Sequence, residues 1–336
     1  MSNQSHHPLL LTTTVGSFPK PPELLAARAR FRRGEIDAGA LAAAERAATE
    51  KVIRLQEELG LDILVHGEME RGDMVAYFAE HWRGFEESLP VRSYGNRYYR
   101  KPIVTGRVER GPEALGEKAY REAQALTAKP VKGMLTGPYT IMDWSFNVHY
   151  PDRRSLVLDL AQLVHEEVLA LDRAGAEYIQ IDEPALSTRP DEVDLAIEAM
   201  AIVTQGVKAK TVSHICYGNY DRLYPAVLDL PVDQLDLEAA NRDYELLDVI
   251  ARHRKDHPWP KGKELALGVL DVHRHQVESR DQVEAGIRRA LELVGPDQLL
   301  IDPDCGLKTR TWEEAEAKLR VMMEAVHAVR RELGVE

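Results

Sequence analysis

A chain of 336 residues is long for one average domain and ordinary for an α/β barrel with an insertion. Its 44% hydrophobic and 29% charged residues suit a globular protein, and a net charge of −12 argues against an electrostatic grip on nucleic acid or anionic membrane. No apolar stretch approaches the roughly 18–20 residues of a membrane span, and residues 1–8 lack the basic region and apolar core of a signal peptide, so a cytoplasmic protein with reduced thiols is expected.

Eight short apolar runs, each ending in polar residues, lie at 11–18, 63–69, 131–138, 178–184, 211–217, 234–238, 265–273 and 299–305. Amphipathic stretches fall at 40–59, 155–175, 191–203, 243–253, 280–293 and, after the last run, 312–333. Their Leu, Val, Ile and Ala residues recur every three to four positions, the spacing of a helix with one buried face. Gly60, Gly175 and Gly295 stand at or just past helix ends, where a left-handed cap is wanted. Eight strands alternating with helices predict a (β/α)8 TIM barrel. A doubly wound open sheet is the runner-up, weakened because no Gly-x-Gly-x-x-Gly or Walker A pattern follows the first strand. Residues 1–336 read as one catalytic barrel domain with an excursion at about 73–125. Within it, residues 91–102 are basic and aromatic in an acidic protein, which suits a solvated hairpin or a donor-facing loop beside the barrel mouth.

In such a barrel the site forms at the C-terminal ends of the strands. Those ends deliver, in order, Ser17, His66 and Glu68, Tyr139 and Trp144, Asp182 and Glu183, His214 and Cys216, Glu238, Asp271 and His273, and Asp304 and Cys305. Cys216 and Cys305 are the only cysteines. Together with His214 and Glu238 they form a complete ligand set for Zn²⁺. On an extended strand, residues two apart share a face, so His214 and Cys216 can reach one ion. Plain buried thiols, a lone disulfide and a satisfied core histidine are the blander readings. A Cys2His site with a displaceable oxygen ligand can bind a thiol, strip its proton and hold a thiolate nucleophile, which points to S-alkylation of a small thiol. Asp182, Glu183 and Glu68 offer carboxylates for an ammonium group. A glycosidase pair is the alternative, but it leaves both cysteines unexplained.

Several motifs are similar to the catalytic C-terminal barrel of cobalamin-independent methionine synthase. They are Thr12-Thr-Thr-Val-Gly-Ser-Phe-Pro19, His66-Gly-Glu-Met-Glu-Arg-Gly-Asp-Met74, Ser93-Tyr-Gly-Asn-Arg97, Leu135-Thr-Gly-Pro-Tyr-Thr-Ile141 with Trp144-Ser-Phe146, Ile179-Gln-Ile-Asp-Glu-Pro-Ala-Leu186, His214-Ile-Cys-Tyr217, Asp271-Val-His273 and Pro303-Asp-Cys-Gly-Leu-Lys-Thr-Arg310. The resemblance spans roughly residues 11–330. It implies zinc on His214, Cys216, Glu238 and Cys305. It implies homocysteine held by the Val15–Ser17 backbone and the Ser17 hydroxyl, with Glu68 and Asp182 on its amino group. His273, in Asp271-Val272-His273, resembles the family's proton-relay histidine, and Trp144 the tryptophan that stacks on the folate ring.

Three departures bear on the methyl donor. The chain starts at the catalytic barrel, without the N-terminal barrel that helps bind a polyglutamate tail. Ser187-Thr188-Arg189 stands where the family has Arg-Glu-Gly, and Arg274-His275 where it has Ser-Pro. The expectation is a zinc-dependent homocysteine methyltransferase whose donor is methylcobalamin or a methyl-corrinoid protein. The alternatives are a methyl-folate donor, a related zinc thiol alkyltransferase, and a non-catalytic homocysteine- or corrinoid-binding partner.

Overall fold

The computed structural model describes residues 9–92 and 98–335. Two helices, α1 (Pro22–Arg32) and α2 (Ala38–Leu59), lead into α3 (Ala76–His81) and the strands β1 (Arg83–Arg92) and β2 (Tyr98–Glu109). Then follow α4 (Leu115–Gln124), β3 (Gly133–Thr136), α5 (Pro138–Asp143), β4 (Phe146–Asn147), α6 (Arg153–Arg173) and β5 (Tyr178–Asp182). The second half alternates: α7 (Val193–Val203), β6 (Lys210–Ile215), α8 (Tyr220–Leu223), β7 (Gln234–Leu237), α9 (Glu245–His253), β8 (Glu264–Gly268), α10 (Arg280–Leu291), β9 (Leu299–Asp302) and α11 (Trp312–Leu333).

The strands β3-β5-β6-β7-β8-β9 pair in that order, all parallel. Two further staves close the ring. Thr12 bridges Ile301 of β9, and Leu64 bridges Val131 just before β3. The Ile63 N–H donates to the Thr12 carbonyl at 3.0 Å, joining the two. Eight staves therefore close a TIM barrel, as expected. The first two differ from the sequence reading, because runs 11–18 and 63–69 give single bridges instead of full strands. Their hold comes partly from side chains: the Asp62 carboxylate accepts from the Thr12 N–H at 2.8 Å and pairs with Arg330 of α11.

The barrel interior holds a polar layer beside a small apolar one of Ile63, Ala266 and Leu300. His214 of β6, Asp236 of β7 and Asp302 of β9 influence one another's ionisation although β8 separates the last two, so these side chains meet across the lumen. Buried Lys132 donates to Gln180 from the far side of the ring. The apolar core lies mainly between staves and helices, with Leu160, Val164 and Leu171 of α6 and Leu319, Met322 and Val326 of α11 buried against the sheet.

All six expected helices match within two residues at both ends, and 312–333 matches α11 at both without a shift. The excursion at 73–125 contains α3, the antiparallel hairpin β1–β2 and α4. The hairpin is extended to a separate three-stranded sheet by β4, from the loop after α5, Ile103 of β2 lying parallel to Phe146 of β4. Residues 93–97, which carry part of the family resemblance, lie outside the described residues. Among the described residues no helix is long and apolar enough to cross a membrane.

Candidate active site

His214 sits near the end of β6 and Cys216 one residue past it. Cys305 follows β9 by three residues. The ligand atoms of these three residues all lie within 4.8 Å of one another. The two sulfurs are 3.9 Å apart and both thiols are free, which rules out the disulfide reading. Two thiolates on one tetrahedral zinc at about 2.3 Å each would stand about 3.8 Å apart. The histidine is also prepared. Its Nδ1 lies 2.9 Å from Asp236 Oδ1, while its buried Nε2 has no hydrogen-bond partner. A carboxylate holding one ring nitrogen while the other is free is the arrangement of a metal-ligating histidine. Burial disfavours the charged ring, but Asp236 and Cys305 outweigh it and raise its pKa. The Cys305 thiol is held well below its ordinary value, chiefly by the hydrogen bond from Cys216.

The fourth expected ligand, Glu238, does not join this group. Its carboxylate accepts from the Gly218 N–H at 3.2 Å and from Asn241 Nδ2 at 3.2 Å. Burial, then the charge of Asp304, pushes its pKa up to about 8. Asp304 in turn accepts three backbone N–H groups, from Ala239, Ala240 and Asn241, and so shapes the loop after Glu238. Glu238 is therefore beside the cluster and loosely held.

A second group of expected site residues lies near the cysteines. Asp182, at the end of β5, is 8% exposed, and burial raises its pKa to about 7. Glu68 adopts φ +58° and adds its negative charge to Asp182. A Cβ on Gly16 would meet Met134 and the Glu68 carboxylate, and one on Gly306 would overlap the Ser17 hydroxyl. Gly306 thus lets the loop that carries Cys305 lie against Ser17, whose carbonyl accepts the Leu307 N–H at 2.6 Å. Gln180 Nε2 bridges the Val15 carbonyl and Asp182 Oδ1, both at 2.7 Å. The loop Val15–Ser17, Glu68 and Asp182 are thereby brought together next to the sulfurs.

The remaining expected site residues are more open to solvent. His273 is exposed, with its ring 5.0 Å from that of Tyr217, itself 60% exposed at φ +58°. Asp271 Oδ1 accepts the His273 backbone N–H at 2.9 Å. β8 ends at Gly268, so both residues ride on the following loop and not on a strand as expected. Trp144 lies half-buried in a cleft of about 790 Å³ with Tyr99, Lys101, Asp143, Phe146 and Arg189. Lys101 Nζ stands 4.5 Å from the centre of the Phe146 ring. The hairpin thus contributes one wall of this cleft.

The model of the family described as "Cobalamin-independent synthase, Catalytic domain" matches residues 10–328. A methionine synthase of Pyrococcus abyssi is 39% identical over 329 residues, covering 98% of this chain and 95% of that protein. This chain belongs to the cobalamin-independent methionine synthase family. A 5-methyltetrahydropteroyltriglutamate–homocysteine methyltransferase of Ralstonia pickettii is 40% identical, over 96% of this chain and only 42% of its own length. The chain thus spans less than half the length of some curated relatives it matches. A solved structure of a B12-independent methionine synthase from Shewanella, in complex with selenomethionine, superposes with a TM-score of 0.84 at 27% identity, covering 98% of this chain and all of that one.

Gln180, Asp236 and Tyr217 were not singled out from this family member's sequence, yet each positions a site residue. For the first two a signal existed. Gln180 and Asp182 are two apart on β5, and Asp236 and Glu238 are two apart around the end of β7, so each pair shares a face.

Proposed function

We propose that this protein methylates the thiol of homocysteine to give methionine, at a zinc ion held by His214, Cys216 and Cys305. The convergence of those three ligand atoms beside a carboxylate pocket carries the reading. Glu238 is the fourth ligand of this reading, the one that yields to the incoming thiol. Zinc, when bound, lowers the pKa of a thiol so that it is a thiolate at neutral pH. Asp182 and Glu68 receive the substrate ammonium, and the Val15–Ser17 loop receives its carboxylate. This places the sulfur toward the cysteines with its methyl-accepting side toward Trp144 and His273.

For the donor we infer a methyl-tetrahydropteroyl glutamate. The sequence expectation of a methyl-corrinoid, or a corrinoid protein partner, is set aside. The family is cobalamin-independent, and the Ralstonia relative is named for the pterin donor. The half-buried indole of Trp144 offers a flat face to a pterin, while Lys101 and Arg189 suit an acidic tail. In the overall exchange the thiol proton ends on the pterin nitrogen as the methyl group moves to sulfur, and His273 is the group placed to deliver it. The reading further makes residues 1–336 one catalytic barrel domain in a cytoplasmic protein. Purified protein loaded with zinc, given homocysteine and either methyl-tetrahydrofolate triglutamate or methylcobalamin, tests the proposal. Methionine should form from the pterin and require zinc. Turnover from methylcobalamin alone would restore the corrinoid reading.

A further inference from the structure

Residues 271–278, which carry His273, form no helix or strand, and His273 through Gln276 are all exposed. Such a segment needs anchors if it is to hold a proton-transfer group in place. They come from one face of α11. Lys318 is wholly buried, and its ammonium donates to the Gln276 carbonyl at 2.6 Å and to the two Glu278 oxygens at 2.9 and 3.0 Å. All three of its donors are thus used. Glu278 Oε1 also accepts the Asp271 N–H at 2.9 Å, and Asp271 Oδ1 accepts that of His273. One turn earlier on α11, Glu314 holds His275 Nδ1 at 2.8 Å. An unbroken chain of hydrogen bonds therefore runs from a buried lysine to the backbone of His273.

We propose that Lys318, acting through Glu278, is a positioning residue that sets the Asp271–His273 turn against Tyr217. This rests on the proposed methyl transfer, and it assigns to the last barrel helix a part in aligning the donor side. The pair touches neither the homocysteine-binding residues nor the metal ligands among its hydrogen bonds, so its effect falls on methyl transfer and not on homocysteine or metal binding.

The test is a double-mutant cycle with a spectroscopic control. Lys318→Met should lower methyl-transfer kcat by about 10–100-fold while zinc content and homocysteine Kd stay unchanged. In a His273→Ala background the same substitution should have almost no further effect on kcat. Glu278→Gln keeps an acceptor for Asp271 and Lys318 and should retain most of the rate that Glu278→Leu loses, which keeps the test decisive if Lys318→Met does not fold. The His273 ring resonances, assigned by their loss in His273→Ala, should move toward free-histidine shifts in Lys318→Met and in Glu278→Leu as the Tyr217 contact is lost. Equal losses in both backgrounds, equal rates for the Gln and Leu variants, or unmoved His273 resonances would overturn the inference. If the unmodified protein turns over neither donor, the functional reading fails, and the resonances alone decide this one.

Discussion

The two halves of the mouth are built differently. The thiol half stands on strand ends and buried loops: His214, Cys216, Asp182 and Ser17 are all under 10% exposed, and Gln180, Asp236 and Asp304 hold them or their loops by hydrogen bonds of 2.7–2.9 Å. The donor half stands on a hairpin, the short β4 and a loop, with Tyr217 and Phe146 exposed and Trp144 half-buried. Under the proposed function, the barrel fixes the sulfur chemistry, and added segments shape what brings the methyl group. Substitutions on the thiol half should therefore act on metal or homocysteine, and those on the donor half on the donor alone.

The largest effect is expected at the cysteines. Cys305→Ser or Cys216→Ser should shed most of the zinc and drop turnover to background, measured by metal analysis and methionine formation. Full metal occupancy in both variants would break the comparison at its root. Glu238→Gln should do far less to metal content, because its carboxylate stands outside the three-residue cluster.

Next comes the ammonium pocket. Asp182→Asn removes one charge-assisted hydrogen bond worth about 1.5–3 kcal/mol, so the homocysteine Kd should rise about 10–100-fold, with zinc retained. Calorimetry gives both numbers. The raised pKa of Asp182, about 7, adds a pH signature. Below that value the group keeps its proton and loses its grip on a cation; above it the charged form binds. Methionine has no thiol proton, so its affinity should report this group, tightening about tenfold between pH 6 and 8. Asp182→Asn should flatten the dependence. The same shift makes the ligand-free protein lose stability as pH rises from about 4 to 7, since the unfolded chain releases the proton earlier.

These thiol-side residues were the most legible in the sequence. His214 and Cys216 share a face by the two-residue period of a strand, and Cys305 follows an apolar run, so their meeting followed from strand ends alone. What escaped is set by tertiary hydrogen bonds. Glu238 is expected as a ligand by type and position, but its hydrogen bonds from Gly218 and Asn241 could not be read from spacing. The alternation of runs and helices gave the barrel, whereas the weak strand character of its first two staves depends on Asp62 and Arg330, far apart in sequence. The family resemblance points to Trp144 and His273, yet the anchoring of the His273 loop by α11 has no local signature.

The smallest effect is expected on the donor half. Trp144→Ala should raise the donor KM by about 3–10-fold, the worth of an aromatic contact, with homocysteine Kd and zinc content unchanged. A parallel loss of homocysteine affinity would show that the two halves are not separate.

Zinc-edge X-ray absorption of the metal-loaded protein, recorded before and after adding homocysteine, tests the central claim most directly. The account predicts two sulfur ligands and a histidine nitrogen in the resting protein and a third sulfur once homocysteine is bound. A sulfur count that stays at two with homocysteine bound would contradict it.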